Sequence, residues 1–105
     1  MDETQPAAGD LETVDNPERK RWEVRSDGRV IAYAEYRLNP ERITFTHTVV
    51  EPEQEGRGVG ALLARTVLDN AVARGLRISP RCPFIRAYIE RHPEYLPSVD
   101  MPQTR

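Results

Sequence analysis

Three glycines stand within five positions just before a helix-like segment of this 105-residue chain. Gly56, Gly58 and Gly60 are followed by leucine, valine and alanine residues that recur at helical spacing to residue 74. The N-terminus of a helix presents unpaired N–H groups and the positive end of the helix dipole, and glycines let a phosphate approach the backbone. The spacing therefore predicts a phosphate site, with a ligand-free tight turn as the alternative.

Two common phosphate-binding patterns do not fit this loop. A Walker A loop ends in Gly-Lys-Ser/Thr, whereas Gly60 is followed by Ala61 and Leu62. A dinucleotide fingerprint needs GxGxxG spacing and an acidic residue about 20 positions later, and residues 76–81 contain no acid. Dinucleotide binding is therefore not expected.

His47 and Cys82 have side chains suited to proton transfer or nucleophilic attack. An imidazole titrates near neutral pH, so His47 is a candidate general base, with packing between Phe45 and Val49 as the alternative. Cys82 precedes Pro83 at a predicted helix start, a position that favours the thiolate, although a small, partly buried side chain is the alternative. With one cysteine and two histidines at no ligand spacing, no metal site is predicted.

These residues belong to elements predicted in the order β-β-β-α-β-α, a mixed α/β domain. Strand alternation in the segment 42–50 places Ile43, Phe45, His47 and Val49 on one face and the threonines with Val50 on the other. The predicted strands and helices are 20–26, 29–37, 42–50, 59–74, 76–79 and 83–92.

Composition divides the chain into three parts. Residues 1–17 are polar and acidic and are predicted to be a disordered tail, residues 18–97 the domain, and residues 98–105 a flexible C-terminal tail. No apolar run approaches the roughly 20 residues of a membrane helix, and no signal peptide is present, so a cytoplasmic location is expected. No dense basic helix with interleaved aromatics is present, which argues against a nucleic-acid partner.

The segments THTVVEPEQEGRGVGALL (46–63) and RCPFIRAYIERHPEY (81–95) resemble the GNAT acetyltransferase superfamily, and especially its small GNAT-like N-acetyltransferase domain proteins. The resemblance covers residues 18–97. It implies a minimal GNAT fold, binding of acetyl-coenzyme A (acetyl-CoA), and transfer of acetyl to a primary amine of a small molecule or protein. A non-catalytic acyl-CoA-binding module is the main alternative, and a protein-interaction domain without cofactor is a third.

The resemblance also implies roles for individual residues. His47 would be the base, and Cys82 would accept an acetyl group or lie beside the coenzyme A sulfur. Ile89 falls where many members carry the tyrosine that protonates the leaving thiolate, and Tyr88 is assigned to core packing. Glu55 stands where the superfamily has arginine or glutamine. The pantetheine arm would pair with the backbone of Thr48, Val49 and Val50, and the pyrophosphate would bind at Glu55, Gly56, Arg57, Gly58, Val59 and Gly60.

Overall fold

The computed structural model describes residues 11–100, which form one five-stranded sheet with two α-helices. The strands lie side by side in sequence order, antiparallel from β1 to β4, and β5 runs parallel to β4. Short 3₁₀ segments at Pro52–Gln54 and Pro93–Ser98 follow β4 and α2. The elements are β1 Leu11–Asn16, β2 Arg21–Ser26, β3 Arg29–Leu38, β4 Arg42–Val50, α1 Val59–Ala73, β5 Arg77–Pro80 and α2 Pro83–Arg91.

The mixed α/β class is confirmed, but the fold has one more strand than the sequence predicted. Residues 11–16 form β1, so the assignment of the whole segment 1–17 to a disordered tail is wrong there. β1 pairs with β2 over six residues, and the Tyr36 hydroxyl on β3 donates a hydrogen bond to Asp15 at 2.6 Å. The acidic composition of residues 1–17 does not predict this strand, because its contacts are with residues distant in the sequence. Residues 1–10 lie outside the described residues.

The predicted flexible tail over 98–105 is also wrong at its beginning. Val99 is buried and bridges Ile78 on β5. Asp100 accepts hydrogen bonds from Arg42 and Arg77, which tie the end of the described chain to β4 and β5. Residues 101–105 lie outside the described residues.

The core lies between α1 and one face of the sheet. On the core face, β2 and β3 bring Trp22 opposite Ala34 and Val24 opposite Ala32, and all four side chains are buried. Burying such apolar side chains stabilises the fold by roughly 25 cal/mol per Å² removed from water. The buried residues of α1 recur every three or four positions, namely Val59, Leu63, Ala64, Val67, Leu68 and Ala71. None of the helices within residues 11–100 is long and apolar enough to cross a membrane.

A β-bulge in β4 changes which side chains face the core. Phe45 lies opposite Tyr36 and His47 opposite the preceding residue, Glu35, so Thr46 has no residue opposite it on β3, and its hydroxyl donates to the Glu35 carbonyl at 3.3 Å. Beyond the bulge, Thr48 lies opposite Ala34 and therefore on the core face. The prediction that Phe45 shares a face with His47 and Val49 is wrong, because the extra residue reverses the alternation.

The opposite face of the sheet carries a buried carboxylate. Glu23 is 1% exposed and accepts hydrogen bonds from Arg21 (2.7 Å), Arg25 (2.6 and 2.9 Å) and Asn16 (3.1 Å). Burial by itself would raise the pKa of Glu23, but these hydrogen bonds outweigh it and hold the pKa below its usual value. The face is thus a polar network rather than a second apolar core.

Candidate functional site

A cleft opens where β4 and β5 separate. The two strands pair in parallel from Arg42 opposite Arg77 to Phe45 opposite Pro80. The chain then turns away, and the N–H groups of Arg81 and Cys82 both donate to the Phe45 carbonyl at 3.0 Å. Residues 46–50 of β4 therefore have β3 on one side and no strand on the other. Their free edge can pair with an extended ligand as a strand would.

This cleft has a volume of about 460 Å³, within the range of small-molecule sites. Its walls come from the free edge of β4, the glycine loop, the first turn of α1 and one face of α2. The lining residues are Thr48, Val50, Gln54, Glu55, Gly56, Gly58, Gly60, Ala61, Phe84, Tyr88 and Arg91.

The three glycines serve two different structural purposes. Gly56 and Gly58 have φ values of +82° and +83°, in the left-handed region that side-chain-bearing residues rarely adopt. Gly60 is needed for space, because a Cβ there would lie 2.7 Å from Cζ of Phe84. Gly58 caps α1 without a side-chain hydrogen bond, so the first N–H groups of the helix have no partner within it. Unpaired N–H groups at the start of a helix can bind an anion, and these lie beside the cleft.

One face of α2 forms the opposite wall. Phe84, Tyr88 and Arg91 are spaced by four and three residues, which places them along one side of the helix. The sequence predicts core packing for Tyr88, and its ring is buried and stacked on His92 at 4.0 Å between ring centres. Yet Tyr88 also lines the cleft, whereas Ile89 is fully buried and does not. The helical stripe was the signal by which these three residues could have been found.

Cys82 lies behind the cleft rather than in it. It occupies the N-cap position of α2 and is 2% exposed. Its thiol donates a hydrogen bond to the Thr48 hydroxyl at 3.1 Å, and Thr48 lines the cleft. Cys82 therefore does not line the cleft, and within the described residues its thiol contacts the cleft wall by the hydrogen bond to Thr48.

His47 lies on the other side of β4, outside the cleft. Its side chain is 73% exposed, and Nδ1 stands 3.4 Å from Oε1 of Glu35. The alternative of packing between Phe45 and Val49 is wrong, because the bulge turns the imidazole away from the core. The ring lines a second cavity of about 360 Å³ with Arg19, Lys20, Glu35, Tyr36, Arg37 and Thr46.

The other predicted site residues divide between the cleft, the core and the surface. Val50 and Glu55 line the cleft. Val49 faces the opposite side and is 44% exposed, and Val59 is buried in the core. Arg57 is exposed in the glycine loop but does not line the cleft. In residues 11–100, no three histidine, cysteine or acidic side chains gather as a metal-binding group.

Comparison with known proteins bears on this arrangement. A family model described as GCN5-related N-acetyltransferase matches residues 21–99. The chain belongs to this family. It is 28% identical over 88 residues to the mouse (Mus musculus) protein NATD1, an alignment that covers 81% of this chain and 79% of NATD1.

Solved structures of the GNAT family agree with the fold. The solution structure of a GCN5-like protein from Staphylococcus aureus matches with a TM-score of 0.68 and 25% identity, over 91% of this chain and 94% of that one. A ribosomal-protein-alanine N-acetyltransferase from Brucella melitensis biovar Abortus 2308 matches with a TM-score of 0.56 and 17% identity, over 81% and 64% of the two chains. The minimal GNAT fold expected from the sequence is confirmed.

The connections between the first three strands are short. The first two strands, β1 and β2, are joined only by residues 17–20, and β2 and β3 only by the Asp27-Gly28 turn, so no helix lies between these strands. The polar sheet face that carries His47 is therefore open.

Proposed function

We propose that the protein transfers the acetyl group of acetyl-CoA to a primary amine. The observation that supports this proposal is that three structural features line the same cleft. The glycine loop supplies an anion cradle, β4 supplies a free strand edge, and α2 supplies a tyrosine. Together they fit a ligand with a pyrophosphate at one end and an extended, amide-bearing arm at the other.

The chain's own groups suit each part of that ligand. Backbone N–H groups from Gly58 to Gly60 and the dipole of α1 would bind the pyrophosphate. Arg91, which lines the cleft, adds a positive charge that offsets Glu55. The backbone of Thr48 to Val50 would pair with the pantetheine amides, in the way a strand is added to a sheet edge.

Acetyl transfer requires one bond to form and one to break. The neutral amine nitrogen attacks the thioester carbonyl carbon, and the carbon–sulfur bond breaks as the amide forms. The backbone N–H of Val50 stabilises the negative oxygen of the tetrahedral stage, because strand alternation directs it to the free edge whereas the N–H of Val49 faces β3. His47 takes the proton that the amine loses, and the hydroxyl of Tyr88 returns a proton to the leaving thiolate.

We assign Cys82 to positioning rather than to covalent catalysis. Its sulfur is buried and already engaged with the Thr48 hydroxyl, so a thioester carbon has no open approach to it. Its hydrogen bond fixes the rotamer of Thr48 at the wall of the cleft. A direct transfer from acetyl-CoA to the amine needs no acetylated cysteine.

The competing candidate is a module that binds acyl-CoA without catalysis. The observation that favours it is the position of His47, whose side chain lies outside the cleft that would hold the thioester. In that case the cleft would bind coenzyme A and its esters, and no amine would be acetylated.

Two measurements separate these candidates. A ligand at about 100 times its Kd stabilises a protein by roughly 2.7 kcal/mol, so acetyl-CoA should raise the melting temperature under either proposal. Release of free coenzyme A thiol is then followed with a panel of primary amines. Stabilisation with amine-dependent thiol release supports the transferase, and stabilisation without it supports the binding module. No stabilisation would refute both.

Variants test the proposed roles of the side chains. His47→Gln should lower kcat most at acidic pH and less as pH rises, because more amine is then already neutral. Tyr88→Phe should lower kcat with little change in the Kd for acetyl-CoA. Arg65→Gln, on the exposed side of α1 away from both cavities, is the matched control and should change neither quantity.

A further inference from the structure

The cavity around His47 is strongly basic, and no part of the proposed acetyl-CoA site accounts for it. Arg19 and Lys20 reach it from the turn before β2, Arg37 from β3, and Thr46 with His47 from the bulge of β4. Glu35 is the one carboxylate among its lining residues. A site with this balance of charge attracts an anion.

Arg37 differs from the other arginines on the strands of the described sheet. Arg21 and Arg25 are salt-bridged to Glu23, Arg29 to Glu51, and Arg42 and Arg77 to Asp100. Arg37 forms no salt bridge within residues 11–100, and neither do Arg19 and Lys20. The cavity thus collects cations that the described part of the fold does not neutralise.

The turn that brings in two of these cations is held under strain. Lys20 has a φ of +56°, in the left-handed region, which is unfavourable by roughly 1–2 kcal/mol for a residue with a side chain. Hydrogen bonds fix it there: its N–H donates to the Pro17 carbonyl at 3.1 Å, and its carbonyl accepts from the Tyr36 N–H at 2.9 Å. Glycine would fit this turn with less strain, so the conformation of the turn does not explain a lysine here. The position of the Lys20 side chain at the cavity is consistent with a role in binding.

The bulge brings this cavity close to the cleft along β4. Thr46 and His47 line the cavity and Thr48 lines the cleft, so the two sites lie on opposite faces of three successive residues of β4. That is about 7 Å of strand. A molecule in the cavity would lie beside the candidate base, across the backbone of β4 from the cleft that would hold the thioester.

We propose that this cavity, lined by Arg19, Lys20, Arg37, Glu35 and His47, is the acceptor site and that it selects small primary amines bearing an anionic group, carboxylate or phosphate. The assignment rests on the proposed acetyl transfer for its meaning as an acceptor site. Arg37 and its neighbours hold the anion, and His47 and Glu35 face the ammonium end. The guanidinium group suits this role because it binds both carboxylate and phosphate oxygens in pairs.

The test compares amines that differ only in the anion. The full-length protein, labelled with ¹⁵N, is titrated at low ionic strength with 2-aminoethyl phosphate and with ethanolamine, and in parallel with β-alanine and β-alaninamide. The anionic member of at least one pair should bind about tenfold more tightly, and the pair that shows the difference identifies phosphate or carboxylate. Backbone amide signals of Arg37, Thr46 and His47 should shift, and raising the ionic strength to about 0.15 M should weaken the preference.

Two arginine variants locate the preference. Arg37→Gln should remove most of the difference within each pair, and Arg65→Gln should leave it unchanged. Equal binding of the two members of both pairs would overturn the proposal. Signal shifts confined to the glycine loop, or equal effects of the two variants, would also overturn it.

A separate transfer assay with acetyl-CoA keeps the two proposals distinguishable. If anionic amines bind at this cavity but release no coenzyme A thiol, the binding site stands and the proposed acetyl transfer fails. If neutral and anionic amines are acetylated with equal kcat/KM, the transfer stands and the selective acceptor site is refuted.

Discussion

Replacing Gly60 with alanine should separate the stability of the protein from its affinity for acetyl-CoA. The added Cβ would lie 2.7 Å from Cζ of Phe84 and 3.3 Å from Cε1. Ordinary contact between carbon atoms is about 3.5–4.0 Å, so the ring has to move by roughly 1 Å. Phe84 is 39% exposed and lines the cleft, so its ring has room to move where the backbone does not.

The free energy of unfolding should change little or rise. Gly60 is the second residue of α1, and alanine is favoured over glycine within a helix by up to about 1 kcal/mol. Displacing an exposed ring forfeits part of this gain. We therefore expect a change in unfolding free energy between about zero and +1 kcal/mol, measured by urea denaturation.

The affinity for acetyl-CoA should fall in the same variant. The displaced ring narrows a cleft of about 460 Å³ next to the anion cradle. We expect Kd to rise at least tenfold, equivalent to about 1.4 kcal/mol, measured by isothermal titration calorimetry. Loss of affinity without loss of stability is the signature of a steric effect on the site.

A double variant tests whether Phe84 transmits the effect. Phe84→Ala removes the atoms that the new methyl group would meet, so Gly60→Ala should cost little affinity in that background, and the two changes should be non-additive. Gly28→Ala is the control: its φ of +82° makes it destabilising, but Gly28 lies in the β2–β3 turn and should leave Kd unchanged. Wild-type affinity in Gly60→Ala, or an undiminished effect of that change beside Phe84→Ala, would refute the reasoning.

Three further predictions concern stability, each measured by urea denaturation. Gly58→Ala should lower the unfolding free energy by roughly 1–2 kcal/mol, because its φ of +83° strains any side-chain-bearing residue; no loss would argue against the left-handed cap. Tyr36→Phe removes the hydrogen bond to Asp15 and should cost about 1–2 kcal/mol, whereas an unchanged value would argue against the docking of β1. Glu23 has a lowered pKa in the folded state, so its ionised form stabilises the protein above the unfolded pKa near 4.3, and this contribution is lost as pH falls through the folded pKa. Glu23→Gln should therefore be less stable at pH 7 and lose less stability on acidification; equal pH dependence would contradict this.

Local sequence signals were sufficient for most of the elements. The bounds of β2, β3, β4 and α1 agree with the predicted segments to within one or two residues, because alternation, helical spacing and the Asp27-Gly28 turn are each local. The glycine loop was also recognisable, since left-handed backbone and close packing both require glycine. The ring that leaves no room for a Cβ at Gly60 belongs to Phe84, 24 positions further along the chain. A local sequence pattern does not predict such a contact.

Features set by strand pairing were not predictable in the same way. β1 looks like an acidic tail because its stability comes from β2 and from the hydroxyl of Tyr36. The bulge at Thr46 depends on the register between β4 and β3, and the threonine itself is not a sequence signal for a bulge. One unpaired residue was enough to move His47 from the expected core face to an open cavity.

In the proposed reaction, the changed position of His47 assigns acetyl-CoA to the cleft and the amine to the cavity around His47. An uninterrupted β4 would keep His47 on the face of Phe45, against the core, and would turn Thr48 away from the cleft. With the bulge, Thr48 lines the cleft, where Cys82 holds its hydroxyl, while His47 enters the basic cavity on the other face. A strand that carries the thioester along its edge can then receive the amine from the opposite face. Under the proposal, the bulge gives the amine a place beside the candidate base, on a sheet whose first three strands are joined only by the short connections at residues 17–20 and 27–28.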